Sequence, residues 1–396
     1  MVITFVSNYI NHHQLPFCKA MASLDEVEFN FIQVMPMEEK RLQMGWGVRT
    51  SDFPFVLEMY KDEEKCKDLI LGSDVTIFGW TEGLTAEIEK ERLSSGKLSF
   101  RVSERIYREG QWKAISPKGL KKKREEHYVY RKKPVFLLCA GAYVASDFRL
   151  IHSYPGKMLK WGYFPESDDE GREYGNCNRR PIKICWAGRL IDLKHPEYAV
   201  KVAETLNNKG YDFTMEIIGD GRLSGTLAER VRRAGLTSGV TLTGGLKPAR
   251  VLEHMKEADV FLFTSNYLEG WGAVVNEAMG CGAAVVASGE AGAVPFLIEH
   301  GYNGRIYRKG SYEDFEKNVL YLFENNDKIA EYGKNAADTI RNLWNAEKAA
   351  SELVRFCKGY LEKGEVEPAA EGPMSLAEVY KPAGFARTMQ ERNVLE

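Results

Sequence analysis

The seven cysteines of this 396-residue chain, Cys18, Cys66, Cys139, Cys177, Cys185, Cys281 and Cys357, form no CxxC pair and show no metal-ligand spacing. Their pattern excludes a zinc module and a disulfide scaffold, and reduced thiols in a cytoplasm are expected. No run of about 20 apolar residues is present, so no membrane-spanning helix is expected. Charge of one sign is also lacking. The 54 Lys and Arg face 56 Asp and Glu for a formal net charge of −2, which gives no global case for nucleic acid. The opening residues Met1-Val2-Ile3-Thr4-Phe5-Val6-Ser7-Asn8 read as a strand, with neither a basic leader nor an apolar stretch of signal-peptide length. No internal repeat is visible.

The rest of the composition is that of a soluble globular protein, with 44% hydrophobic and 28% charged residues, and the length suits two domains or three. The first part alternates loosely between strands (2–6, 27–33, 75–78, 98–102) and helices (15–23, 86–93). From 157 to 178 the chain turns polar and glycine-rich, which marks a boundary and a first domain over 1–178. Alternation is clearer beyond it. Strands at 182–187, 214–218, 240–243, 260–264 and 284–287 are separated by helices at 196–209, 223–234, 248–258 and 273–279, giving a second domain over 179–363. Such alternation means βαβ units, a parallel sheet and an α/β fold. Residues 364–373 read as a linker. Residues 376–395 read as a helix broken near Pro382-Ala383-Gly384, so the tail 364–396 is expected to pack back on the first domain.

Ligands of parallel sheets bind at the carboxyl ends of the strands. Gly188-Arg189, Gly219-Asp220-Gly221, Gly244-Gly245 and Glu269-Gly270 all fall at that edge, and together they describe a nucleotide site. Glycine at 188 lets the backbone approach a ligand. Arg189 can grip two phosphate oxygens and Lys194 adds a point charge. Gly270, Trp271, Gly272, Ala273 and Val274 lead into a helix whose first N–H groups favour an anion. Glu269 and Glu277, separated by seven residues, can accept from sugar hydroxyls. Each feature also has a plainer reading. Arg189 alone is a surface arginine, Glu277 suits any first helical turn, and Gly219-Asp220-Gly221 is a turn before it is a binding loop.

In order and spacing, the Gly188-Arg189 start, Lys194, the Gly219-Asp220-Gly221 loop, the Glu269/Glu277 pair, Cys281-Gly282-Ala283-Ala284-Val285-Val286-Ala287-Ser288 and Gly301-Tyr302-Asn303-Gly304 resemble the family-4 glycosyltransferases, retaining enzymes. The resemblance covers about residues 181–310 and is mainly architectural before them. It implies a GT-B fold, with two Rossmann-like domains whose parallel sheets face across a cleft. It implies a nucleoside-diphosphate sugar as donor, UDP most commonly, no cofactor and no metal. The acceptor it implies is a glycan or lipid-linked molecule in cell-surface polysaccharide or glycolipid synthesis. Arg189 and Lys194 would hold the diphosphate, Glu277 the ribose and Glu269 the transferred sugar. Gly188, Gly219, Gly221 and the N–H groups of 270–274 would line the donor.

One departure stands out. Many relatives place a histidine after a strand in the middle of the first domain, whereas here 98–102 runs into Ser103-Glu104-Arg105. Glu104 and Arg105, with His12 and His13 after the first strand, are the acceptor-side candidates. Asp168 and Asp169 resemble the acidic metal pair of the other large glycosyltransferase fold, but no strand precedes them. The basic run through 118–133, with Trp112, Tyr128 and Tyr130 nearby, reads as a solvated face or as peripheral contact with an anionic membrane at the inner face. A UDP-sugar 2-epimerase on the same scaffold and a non-catalytic nucleotide-sugar-binding protein are the alternatives. The first needs acids and a histidine for proton transfer that the first domain does not offer as a clear set.

Overall fold

The computed structural model describes residues 1–43, 45, 47–166, 181–308 and 311–379. Asp168, Asp169 and most of the expected C-terminal helix lie outside them. Two compact units form, one from the chain up to Glu166 and from Trp344 onward, the other from the residues between.

In the first unit, strands β1 (Val2–Ser7), β2 (Glu28–Gln33), β3 (Val56–Glu58), β4 (Val75–Phe78), β5 (Ser99–Ser103), β6 (Val135–Ala140) and β7 (Met158–Trp161) form one sheet ordered β3-β2-β1-β4-β5-β6-β7. Every pairing is parallel. In the second, β8 (Ile182–Ala187), β9 (Phe213–Ile218), β10 (Val240–Gly244), β11 (Val260–Phe263), β12 (Ala284–Ser288) and β13 (Arg305–Tyr307) are ordered β10-β9-β8-β11-β12-β13, again all parallel. Helices cover both faces of such sheets, which is why Val-Phe-Leu-Phe of β11 is buried at every position. Chain order reverses between β1 and β4 in one sheet and between β8 and β11 in the other. Ligands of such sheets bind outside the carboxyl ends of the strands at these switch points.

Three parts of the first unit differ from the sequence expectation. Met158–Trp161, assigned to the polar boundary, is the edge strand β7, because Met158, Leu159 and Trp161 are buried, Met158 in a core containing Tyr154 and Phe148. The helix Ala346–Lys363, expected in the second domain, packs in the first unit. Phe356 meets Phe100 and Phe136 at ring separations of 5.8 and 5.0 Å, so its apolar stripe belongs to that sheet. The expected helix does not start at Leu376. Met374 N–H donates to Lys160 O (2.9 Å), Lys160 N–H to Ser375 O (2.7 Å) and Ala377 N–H to Met158 O (2.9 Å), so this stretch pairs antiparallel along β7 and satisfies an otherwise open sheet edge.

The segment between β5 and β6 carries the basic run. The helix Pro117–Glu126, capped by Ser116, has no buried residue, and Trp112 and Val129 beside it are 47% and 53% exposed. Tyr130 is not at this surface: it is buried in the core of the first unit. Tyr128 is engaged by Arg124 and Arg131, whose guanidinium carbons stand 4.7 and 5.1 Å from its ring centre.

Candidate functional site

The rim of the second sheet is stitched together by backbone. Gly188 N–H donates to Ile218 O (3.0 Å), Leu190 N–H to Asp220 O (2.8 Å) and Gly219 N–H to Gly244 O (2.9 Å), joining the loops after β8, β9 and β10. The Gly-Asp-Gly loop is glycine for a steric reason. Gly219 has φ +142°, and a Cβ there would lie 1.9 Å from Gly188 O; at Gly221 it would lie 2.3 Å from Leu190 O. Asp220 between them extends the stitching, its Oδ2 accepting from Gly245 N–H at 2.8 Å.

The loops at the β8/β11 switch point are joined more closely still. Lys194 and Glu269 form an ion pair with both side chains largely shielded, 13% and 16% exposed. Thr264 at the end of β11 accepts from the Trp186 indole (2.8 Å) and donates to Lys194 O (2.6 Å). Asn266 N–H donates to Leu193 O (2.8 Å) and Asn266 O accepts from Glu269 N–H (2.9 Å), closing the turn that presents the glutamate. Arg189 stands exposed at the carboxyl end of β8. His195, after Lys194, occupies the left-handed region (φ 45°, ψ 51°), at a cost of about 1–3 kcal/mol for a non-glycine residue.

Gly270 and Trp271 turn their carbonyls toward the loop after β12. Gly270 O and Trp271 O accept from Gly292 N–H (3.0 Å) and Ala293 N–H (2.9 Å) of the loop after β12. In a trans peptide the next N–H points the opposite way, so the amides of Trp271 and Gly272 face away from that loop. Gly272 has φ +91°, and a Cβ there would lie 2.8 Å from Phe263 Cζ. The Trp271 ring is no ligand platform: it is 1% exposed and its Nε1 donates to Asn276 Oδ1 at 2.7 Å. Ala273 is the N-cap and Val274 the first residue of the short helix Val274–Gly280, whose Glu277 is buried, and burial raises its carboxyl to about 7.

The acceptor-side candidates all lie in the first unit. His12 and His13 follow β1 at the switch point, with ring centres 3.8 Å apart. Burial lowers His12 to about 4, and burial and then His12 lower His13 to about 3, so both are neutral at physiological pH. Glu104 pairs with Arg108 and accepts from Tyr163 OH at 3.0 Å. Arg105 turns inward to Asp147 (3.6 Å, with 5% and 0% exposure), which also accepts from Tyr107 N–H (2.9 Å) and Gln111 Nε2 (3.0 Å). Its guanidinium therefore serves a buried ion pair that closes the β5–β6 crossover.

Residues 168–339 match the family model of glycosyl transferases group 1. That stretch contains the whole stitched rim. The chain is 30% identical over 194 residues to an uncharacterized glycosyltransferase of Methanocaldococcus jannaschii, covering 48% of each protein. It is 25% identical over 201 residues to a GDP-mannose-dependent alpha-(1-6)-phosphatidylinositol monomannoside mannosyltransferase of Mycobacterium tuberculosis, covering 49% of this chain and 52% of that one. The chain thus spans about half the length of these relatives. Among solved structures, Anabaena HepE in complex with UDP superposes with a TM-score of 0.66 over 91% of this chain and 100% of that one, at 16% identity. The pneumococcal O-GlcNAc transferase GtfA in complex with UDP and GlcNAc gives 0.64 over 92% and 99%, at 11% identity. At these identities the likeness is one of fold, two Rossmann-like parallel-sheet units of the GT-B kind.

Within the matched glycosyl transferase region, His195, Thr264 and Asn266 were not singled out in the sequence. Each acts through a contact with a loop about 70 residues away, and the left-handed backbone at 195 carries no residue signature because glycine is absent there.

Proposed function

We propose that the protein is a retaining, metal-independent glycosyltransferase that moves a sugar from a nucleoside-diphosphate sugar, UDP-linked, to a glycan or lipid-linked acceptor. The observation that carries this reading is the shielded Lys194–Glu269 pair at the point where the order of the second sheet reverses. A cation and a carboxylate held side by side can serve the two ends of a sugar nucleotide bond, the diphosphate and the sugar hydroxyls. As the anomeric bond breaks, negative charge builds on the β-phosphate. Lys194, Arg189 and the amides of 270–274 would meet that charge without reorganising, and losing one such donor costs about 100- to 1,000-fold in rate. Glu277 would accept from the ribose. Retention follows if the acceptor attacks from the face the diphosphate leaves, with a phosphate oxygen taking the proton.

The acceptor would reach the first unit, where His12, His13 and Glu104 stand at strand ends. A lipid-linked acceptor fits the basic face at 118–133, where Lys118, Lys121, Lys122, Arg124 and Lys132 are exposed beside Trp112, Leu120 and Val129. Each basic residue near an anionic bilayer contributes about 1 kcal/mol. Among the described residues no helix is long and apolar enough to cross a membrane, so the contact in this reading is peripheral.

The test is a thermal-shift panel of UDP-glucose, UDP-GlcNAc and GDP-mannose. A ligand at 100 times its dissociation constant adds about 2.7 kcal/mol of stability, and a panel with no shift overturns the reading. Epimer formation from a UDP-sugar alone would instead establish the isomerase.

A further inference from the structure

The ring of His195 is bonded on both sides. Its Nδ1 lies 2.7 Å from Glu197 Oε1, and its Nε2 lies 3.2 Å from Asn266 Nδ2. The proton positions follow from the partners. Leu268 N–H can only donate, and it meets Asn266 Oδ1 at 3.0 Å, so the Asn266 carboxamide presents its NH2 to the histidine. Nε2 must then accept, and Nδ1 carries the proton and donates it to Glu197. Asn266 is fully committed: its N–H goes to Leu193 O, its carbonyl receives Glu269 N–H, and its side chain bridges Leu268 and His195.

His195 is therefore tied to both halves of the ion pair, to Lys194 by the chain and to Glu269 through Asn266. Lys194 precedes it directly, and its own left-handed backbone sets the direction in which Lys194 leaves the short 3-10 turn Asp192–Lys194. Asn266 hangs from its ring and closes the turn that carries Glu269. A capping role does not explain the ring, because His195 precedes the helix Pro196–Asn208 without any side-chain bond to that helix's free N–H groups. Glycine would occupy the same backbone at lower cost. The strained backbone at His195 thus comes with a ring that bonds across to a second loop.

We propose that His195 is a positioning residue that holds the diphosphate-binding Lys194 and the sugar-binding Glu269 in register with each other. This rests on the reading of the rim as a nucleotide-sugar site. Two variants separate the backbone from the ring. H195G relieves the left-handed strain and deletes both ring bonds, while N266A keeps the strain and deletes the ring's partner.

The measurements are titration calorimetry with UDP, GDP, uridine and guanosine, and the melting temperature of each protein. H195G is expected to melt at or above the wild-type temperature yet to bind the responding diphosphate about ten-fold more weakly, with the matching nucleoside unchanged. N266A is expected to lose a similar factor, and the double variant H195G/N266A no more than either alone. Unchanged diphosphate affinity in H195G overturns the proposal and leaves the nucleotide-sugar reading intact. A fall in melting temperature alongside affinity reduces His195 to a structural residue and also overturns it. A wild-type protein that binds neither diphosphate sinks both readings together.

Discussion

Each sheet is parallel and reverses its strand order once, and each ties its strand-end loops backbone to backbone, but the first unit adds buried charged side chains to that stitching. In the second unit the loops after β8, β9 and β10 bond backbone to backbone across glycines at 188, 219 and 244. The first unit has backbone bonds of the same kind at its own strand ends, Gly79 N–H to Val6 O (2.8 Å) and Val34 N–H to Ser7 O (3.0 Å), and adds buried charged side chains at the amino ends of its strands and in a crossover. Arg92, fully buried, donates to the carbonyls of Ile70, Leu71, Ser73, Asp74 and Leu98, gathering the end of the helix Glu63–Gly72 and two loops around one guanidinium. Arg105 and Asp147 close the β5–β6 crossover, and Arg101 meets His127 Nδ1 at 2.8 Å and Tyr154 OH at 3.3 Å. Close backbone approach admits one residue type and writes itself into the sequence at fixed spacing. A buried ion pair joins residues far apart and leaves no local mark.

That contrast can be broken most forcefully in the first unit. Arg105→Ala leaves Asp147 buried without its cation and should cost about 3–5 kcal/mol of stability in urea denaturation. If the loss is under about 1 kcal/mol, side-chain charge is not what secures that crossover. In the second unit Gly219→Ala drives a methyl into Gly188 O and forces a positive φ on alanine, and should cost about 3 kcal/mol. Gly225→Ala, in a helix with nothing within 4 Å of its added methyl, should be neutral or stabilising and serves as the control.

Glu277 gives a comparison in pH. Its carboxyl is raised from 4.5 to about 7, so the native state holds a proton that the unfolded chain releases between those values. Its contribution to stability is complete below pH 4.5 and is lost as pH rises through 7, in all about 3 kcal/mol. Urea titrations at pH 5 and pH 8 should show that difference shrinking in Glu277→Gln; an equal difference in both proteins assigns the pH dependence elsewhere.

Two smaller effects sharpen the functional side. Arg189→Ala should weaken UDP binding about 10- to 100-fold, or about 1.4–2.7 kcal/mol, with uridine nearly unaffected; calorimetry showing equal falls for both would remove Arg189 from the diphosphate. Lys122→Ala should weaken sedimentation with phosphatidylserine vesicles about five-fold at low salt and leave binding to zwitterionic vesicles unchanged. No difference between the two vesicle types returns the 118–133 face to bulk solvent.

The second unit was legible because its strands alternate with capped helices and its rim uses glycine. The ranges expected for β8, β9, β10, β11 and β12 differ from the structure by a residue or so, and Lys194 and Glu269, 75 positions apart, are paired. Much of the first unit was not legible. β6 is a continuous apolar run that periodicity cannot tell from a buried helix, and β3 and β7 are three and four residues long. At the site, Glu269 and Lys194 announced themselves by type and spacing. His195 and Asn266 did not, because a bond between side chains on separate loops has no period.

Connectivity gives one last consequence. The chain enters the second unit after Glu166 and leaves it at Trp344, so the N-terminal sheet is completed by residues made after the whole rim, with Lys358 bonded to Glu26 at 3.0 Å. During synthesis residues 181–343 of the second unit precede the helix Ala346–Lys363 that completes the first. A chain cut at Leu343 would keep the strands and loops of that half and strip the other of the helix that seals Phe100 and Phe136 from water.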